Sequence, residues 1–222
     1  MLQLSTLRFL QHLAKHNNKE WFNENRVKYD AARADFIAFT TQILSGFSKV
    51  EPDLLPLHSK DCIFRINRDV RFSTNKSPYK TNMGAAFSKG GKKSILAGYY
   101  FHLEPGKSFV GGGLWMPEKE VIQKVRQEID YCWDEWRNII KAKPFQQQYG
   151  DLSREEGMFL QREPKGYDKE NPAITYLKLK SWIATKPLLD EDLTNKVLLQ
   201  KVIRAFEALQ PVIHFLNRAI EG

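Results

Sequence analysis

The chain has 222 residues, of which 42% are hydrophobic, 27% charged and 12% aromatic, and a formal net charge of +8 at pH 7. That apolar content excludes a disordered chain, which lacks the surface to offset chain entropy, and two cysteines exclude a disulfide scaffold. A basic surplus favours anionic partners only where it is concentrated.

Leu4, Leu7, Leu10 and Leu13 recur at helical spacing and predict a short helix over residues 5–15. Asn17-Asn18 breaks it. Asn17, with Glu20 three residues later, has the form of a capping box opening a long helix from about Lys19 to Phe47. Pro52 and Pro56 end this region. The period then changes. Cys62, Phe64, Ile66, Val70 and Phe72 alternate with Arg65, Asn67, Asp69 and Arg71, which predicts a strand over 62–72 with one polar face. Arg68 is out of phase and marks a bulge or the strand's end. Residues 73–78 read as a turn. Residues 83–87 and 96–104 read as strands, the second with Tyr99, Phe101 and Leu103 opposite Tyr100, His102 and Glu104. Pro105-Gly106 then turns the chain into an extended segment at 108–111.

Helical period returns after Gly111-Gly112-Gly113. Pro117 suits a helix's first turn, and Ile122, Val125, Ile129, Trp133, Trp136 and Ile140 form a stripe ending before Pro144. A helix or strand lies around 173–182. Asp190, Glu191 and Asp192 favour a helix start, Leu198, Val202, Phe206 and Leu209 give its buried face, and Pro211 kinks it. Helices first, strands in the middle and helices again predict an α+β fold. Its central, mainly antiparallel sheet spans about residues 60–112 and is flanked by N-terminal and C-terminal helices in a single domain, 1–222. Residues 1–13 are amphipathic and lack the form of a signal peptide, and no run approaches the roughly 20 apolar residues of a membrane helix. With Cys62 and Cys132 as the only thiols, the expected location is cytoplasmic, with no membrane partner.

The charge is local. Residues 60–93 hold nine cationic residues (Lys60, Arg65, Arg68, Arg71, Lys76, Lys80, Lys89, Lys92 and Lys93) against Asp61 and Asp69, a surplus of seven. Within this stretch, Arg65-Ile66-Asn67-Arg68-Asp69-Val70-Arg71-Phe72 followed by Asn75-Lys76-Ser77-Pro78-Tyr79-Lys80 resembles the signature of the DUF2461 family of bacterial and fungal proteins. Asn17 to Phe22, Gly98-Tyr99-Tyr100, Gly111 to Gly113, Pro164-Lys165-Gly166-Tyr167 and Leu216-Asn217 extend the resemblance over nearly the whole chain. The family has no established activity, so the resemblance implies no reaction. Asn75 stands where relatives carry Asp, and Asn171-Pro172 where His-Pro is expected, so no histidine role is carried over there.

Arginine grips phosphate or carboxylate with two hydrogen bonds. On a strand, Arg65, Asn67, Asp69 and Arg71 would share one face, roughly 7 Å apart at every second residue. The candidate ligand-binding residues are therefore Arg65, Arg68, Arg71, Lys76, Tyr79, Lys80 and Tyr100, and the catalytic candidates are Asp69, Tyr79 and His102. The expected ligand is a small phosphate- or carboxylate-bearing anion, and an enzyme acting on a phosphorylated metabolite or nucleotide is one form of that reading. The alternatives are a nucleic-acid module using the basic 60–93 stretch, and a structural ion-pair network in an interaction protein. Gly111 to Gly113 before the Pro117 helix is either a phosphate-cradling turn or a strand end needing positive φ. His12, His16 and Glu20 lack the spacing of a metal site, and neither Walker nor dinucleotide spacing is present, so no metal and no cofactor is expected.

Overall fold

The computed structural model describes residues 1–222. In chain order, helices α1 (Leu4–Lys15), α2 (Lys19–Glu24), α3 (Arg26–Phe47) and α4 (Ser59–Cys62) precede strands β1 (Met83–Phe87), β2 (Gly98–Leu103) and β3 (Phe109–Leu114). Helices α5 (Lys119–Tyr131), α6 (Trp133–Lys141), α7 (Lys143–Tyr149) and α8 (Ile174–Leu177) follow, then β4 (Trp182–Pro187), α9 (Asp190–Leu193) and α10 (Leu198–Glu221). The strands form one antiparallel sheet in the order β1-β2-β3-β4, and the fold class is α+β as expected. No helix is long and apolar enough to cross a membrane.

Two compact units divide the chain. The first takes residues 1–93, 100–110 and 187–204. In it, Leu7, Leu10 and Leu13 of α1 are buried as their spacing requires. Phe36 and Phe39 of α3 meet Phe101 of β2 at ring-centroid distances of 6.0 and 5.2 Å. Strand parity therefore holds on β2. Phe101 and Leu103 are fully buried, while Tyr100 and His102 face away from that core. The expected long helix is two helices. Asn25 donates its side-chain amide to Trp21 O at 2.9 Å, taking a carbonyl within α2 and separating it from α3. The cap of α2 is Asn18, which accepts from the Trp21 N–H at 2.9 Å, and not Asn17, whose side chain is engaged elsewhere.

The second unit takes residues 94–99, 111–186 and 205–222. Its core includes Trp136 between Tyr176 and Phe215, and Tyr99 against Phe206. The Asn217 carboxamide brackets Ala97, accepting its N–H at 2.8 Å and donating to its carbonyl at 3.2 Å. Arg218 pairs with Glu128 and Glu135. Pro144 opens α7 at its first turn, where a missing N–H costs little.

Three further expectations are corrected. There is no strand over 62–72, and the sheet starts at Met83. A fourth strand, Trp182–Pro187, joins the far edge, with its proline at the strand's end as edge positions allow. Gly111 to Gly113 form neither a turn nor a helix N-terminus; they lie inside β3. A Cβ on Gly111 or Gly113 would overlap the Ala184 or Trp182 carbonyl of β4, so close strand approach explains these glycines, and the positive φ expected of a strand end is present at Gly113, with φ +124°. Gly111→Ala is expected to cost about 1–3 kcal/mol through overpacking, read as a lower urea midpoint. A change of less than about 0.5 kcal/mol would contradict this account of the triad.

Candidate functional site

Residues 63–68 run antiparallel to residues 78–85 through two single bridges, Ile63 to Ala85 and Asn67 to Tyr79. Arg68 N–H donates to Pro78 O at 2.9 Å and Lys80 N–H to Ile66 O at 2.8 Å. Pairing stops at Arg68, and residues 69–77 form a loop. Arg65, Asn67, Asp69 and Arg71 therefore do not share one strand face, because the last two lie beyond the last bridge.

The loop is held by its own polar groups. The Arg68 guanidinium donates to Ser77 O at 3.2 Å and to Ser73 Oγ at 3.3 Å. Lys76 Nζ donates to Val70 O at 3.1 Å, and Ser77 N–H to Asn75 Oδ1 at 2.9 Å. Arg71 grips Asp69 with two hydrogen bonds of 3.0 and 2.7 Å on the exposed surface. That grip holds the Asp69 carboxyl below the usual range. Phe72 is 95% exposed, with the Arg71 guanidinium carbon 5.8 Å from its ring centroid.

Beyond the loop the chain is fixed by Asn17. Its side chain donates to Tyr79 O at 2.9 Å and accepts from Tyr79 N–H at 3.1 Å. The buried Tyr79 ring stacks on Phe22 at 4.0 Å and 14°. The next residue, Lys80, is thereby set over Phe64, with Nζ 5.5 Å from the ring centroid. Lys80 forms no ion pair. Burial, and then the charge of Arg65, push its pKa down. Arg65 is exposed and likewise bonds no carboxylate, though its charge also reaches Asp69.

The Tyr100 ring meets the Phe64 ring in a T-shaped contact at 6.3 Å. Its hydroxyl lies over Gly84, where a Cβ would overlap it. Burial pushes the phenol up to about 12. Tyr100 opens a polar row along β2. The Tyr100 hydroxyl is 3.4 Å from His102 Nδ1, and His102 Nε2 is 3.2 Å from Glu104 Oε2. Glu104 Oε1 accepts from Thr81 Oγ1 at 3.0 Å, and Asn82 Nδ2 is 3.4 Å from His102 Nδ1. Phe109 stacks on the imidazole at 4.7 Å and 12°. Burial pushes the His102 pKa down, opposed by Glu104. Glu104 and Thr81 also line an open groove of about 480 Å³, with His12 and Lys15 of α1 on its other wall.

Of the candidate residues, Arg65, Lys80, Tyr100 and His102 thus gather around Phe64 and the outer face of β2. Arg68, Asp69, Arg71 and Lys76 belong to the loop, and Tyr79 is buried behind it. Sequence reasoning passed over Phe64, Asn17, Thr81, Asn82, Gly84 and Glu104 as site residues. Glu104 had a signal in its strand parity with Tyr100 and His102, and Asn17 in the family resemblance of residues 17–22. No group of three or more His, Cys, Asp or Glu comes together to hold a metal ion. His16 instead stacks on Trp21 at 5.9 Å.

The model of the family described as "Conserved hypothetical protein (DUF2461)" matches residues 5–215. No curated protein and no solved structure matches the chain.

Asn17→Ala leaves the Tyr79 N–H and C=O without their partner. A loss of about 1–3 kcal/mol is expected from unmade hydrogen bonds at a part-buried site, read by urea denaturation. Unchanged stability would contradict the clamp.

Proposed function

The chain belongs to the DUF2461 family, and we propose that it binds a small phosphate- or carboxylate-bearing ligand at Arg65 and Lys80, beside Phe64 and Tyr100. The observation that carries this reading is a pair of cations that bond no carboxylate, one of them half-buried over an aromatic ring. The Arg65 charge disfavours the charged form of Lys80, and a bound anion relieves that repulsion. Arginine supplies the two-pronged grip and lysine a compact point charge. On this reading the Tyr100 hydroxyl, whose ring contacts Phe64, is a neutral donor for the ligand's remaining oxygens. An enzyme on a phosphorylated metabolite or nucleotide is the finer form of this reading.

Arg68, Asp69, Arg71 and Lys76 are left out of the ligand site, since each already serves the loop. Their role on this reading is structural. The thiols fit a reducing compartment, since both cysteines are free. The location we propose is cytoplasmic.

A second reading, a surface for single-stranded nucleic acid, is favoured by one observation. Phe72 stands almost fully exposed beside Arg71, an aromatic platform with a cation over its ring.

Titration calorimetry with inorganic phosphate at low salt separates the two. Arg65→Ala and Lys80→Ala are each expected to weaken binding about 10-fold or more, as for a lost charge-assisted hydrogen bond, while Arg71→Ala stays within about 2-fold. Equal losses in Arg71→Ala would overturn the assignment. Tight, salt-sensitive binding of single-stranded DNA that depends on Phe72 would favour the second reading.

A further inference from the structure

Tyr100, His102 and Glu104 are more than three polar residues on one strand face. Both oxygens of Glu104 are committed, Oε2 to His102 Nε2 at 3.2 Å and Oε1 to the Thr81 hydroxyl at 3.0 Å. A carboxylate fixed on Nε2 places the imidazole proton there and leaves the lone pair on Nδ1. Nδ1 faces two donors at 3.4 Å, the Tyr100 hydroxyl and the Asn82 amide. Phe109, stacked parallel at 4.7 Å, holds the ring's tilt. Gly84 leaves the space in which the Tyr100 hydroxyl sits. The order is a hydroxyl, then a base, then a carboxylate that orients the base, the arrangement by which a hydroxyl is activated.

The two ends of this row open differently. Glu104 lines the groove shared with His12 and Lys15. Tyr100 meets the edge of Phe64, over which Lys80 sits. We infer that Tyr100, His102 and Glu104 form a proton relay serving the ligand held by Arg65 and Lys80, so that this ligand is a small anion that also carries an exchangeable proton. The inference rests on the anion-binding reading above. In the step, the ligand's proton passes to the Tyr100 oxygen as the Tyr100 O–H proton passes to His102 Nδ1. One bond from hydrogen to the ligand breaks and one N–H bond forms. The ligand keeps the electron pair, the imidazolium stands against the Glu104 carboxylate, and no electron changes hands. The reverse step returns the proton. Tyr100 is the catalytic residue of this relay, and His102 and Glu104 act through it.

The groups that face the imidazole are Tyr100 and Glu104 from β2, Thr81 and Asn82 from the chain leading into β1, and Phe109 from β3. Among them Glu104 alone carries a charge. Burial outweighs Glu104 and keeps the ring a free base at neutral pH, the form the step requires.

Two measurements on the full chain test the relay. The first is the nitrogen NMR spectrum of His102. The expected tautomer is Nε2–H, and Glu104→Gln is expected to lower the imidazole pKa as the carboxylate's charge is removed. The opposite tautomer, or a pKa indifferent to Glu104→Gln, overturns the relay whatever the ligand. The second is sulfate calorimetry near pH 6.5 in two buffers of different ionisation enthalpy. Sulfate carries no proton there, so any proton taken up lands on the protein. An anion that draws the Tyr100 O–H toward itself turns the phenol oxygen into an acceptor and favours protonation of His102. Proton uptake per sulfate bound is therefore expected in the native chain, absent in His102→Gln and reduced in Tyr100→Phe. Sulfate binding without uptake, or uptake unchanged in those variants, overturns the relay and leaves the anion site standing. No sulfate binding by the native chain overturns the anion site, and the relay to its ligand with it.

Discussion

Two backbone hydrogen bonds, Arg68 N–H to Pro78 O and Lys80 N–H to Ile66 O, together with the Asn17 clamp on Tyr79, decide where the chain's positive charge stands. They close residues 69–77 into a loop and set Lys80 at its base. They also divide the cations into two populations. Arg68 and Lys76 turn inward to carbonyls of the loop, and Arg71 meets Asp69. Arg65 and Lys80 lie on the paired stem and bond no carboxylate. Without those hydrogen bonds the motif would be an undifferentiated basic segment.

The stem also brings chemistry to the cations. Phe64, just before Arg65, contacts both Lys80 and Tyr100 with its ring. Strand parity then lines Tyr100, His102 and Glu104 along β2, on the face turned away from the Phe101 and Leu103 core. Packing and polarity depend on each other here. Phe101 against α3 fixes the strand's phase, and the phase fixes which side chains face Thr81, Asn82 and Phe109. Gly84 completes the arrangement by lacking a side chain where the Tyr100 hydroxyl lies.

Much of this was legible in the residues. The apolar spacing of α1, the alternation of β2 and the concentration of charge in 60–93 followed from side-chain period and count. The Arg-rich segment misled because alternation in a short stretch cannot distinguish a strand from a paired stem that opens into a loop. The loop's hydrogen bonds come from Ser73, Asn75 and Ser77, whose partners no periodicity announces. β4 was obscure because a six-residue edge strand ending in Lys-Pro carries little pattern. Asn17 and Asn217 lay in segments that carry the family resemblance, and both bracket a distant backbone residue, 62 and 120 positions away. Such contacts are invisible to local reasoning. A cap was the natural local reading of Asn17, and the structure gives that task to its neighbour.

The central claim is that the loop cations hold the loop while Arg65 and Lys80 hold the ligand. A crystal structure of the protein grown with phosphate tests it most directly. The account predicts one phosphate bonded by both Arg65 and Lys80, with Arg68 still on Ser77 O and Arg71 still on Asp69. A phosphate bound instead by Arg68 and Arg71, with those internal bonds broken, would contradict it.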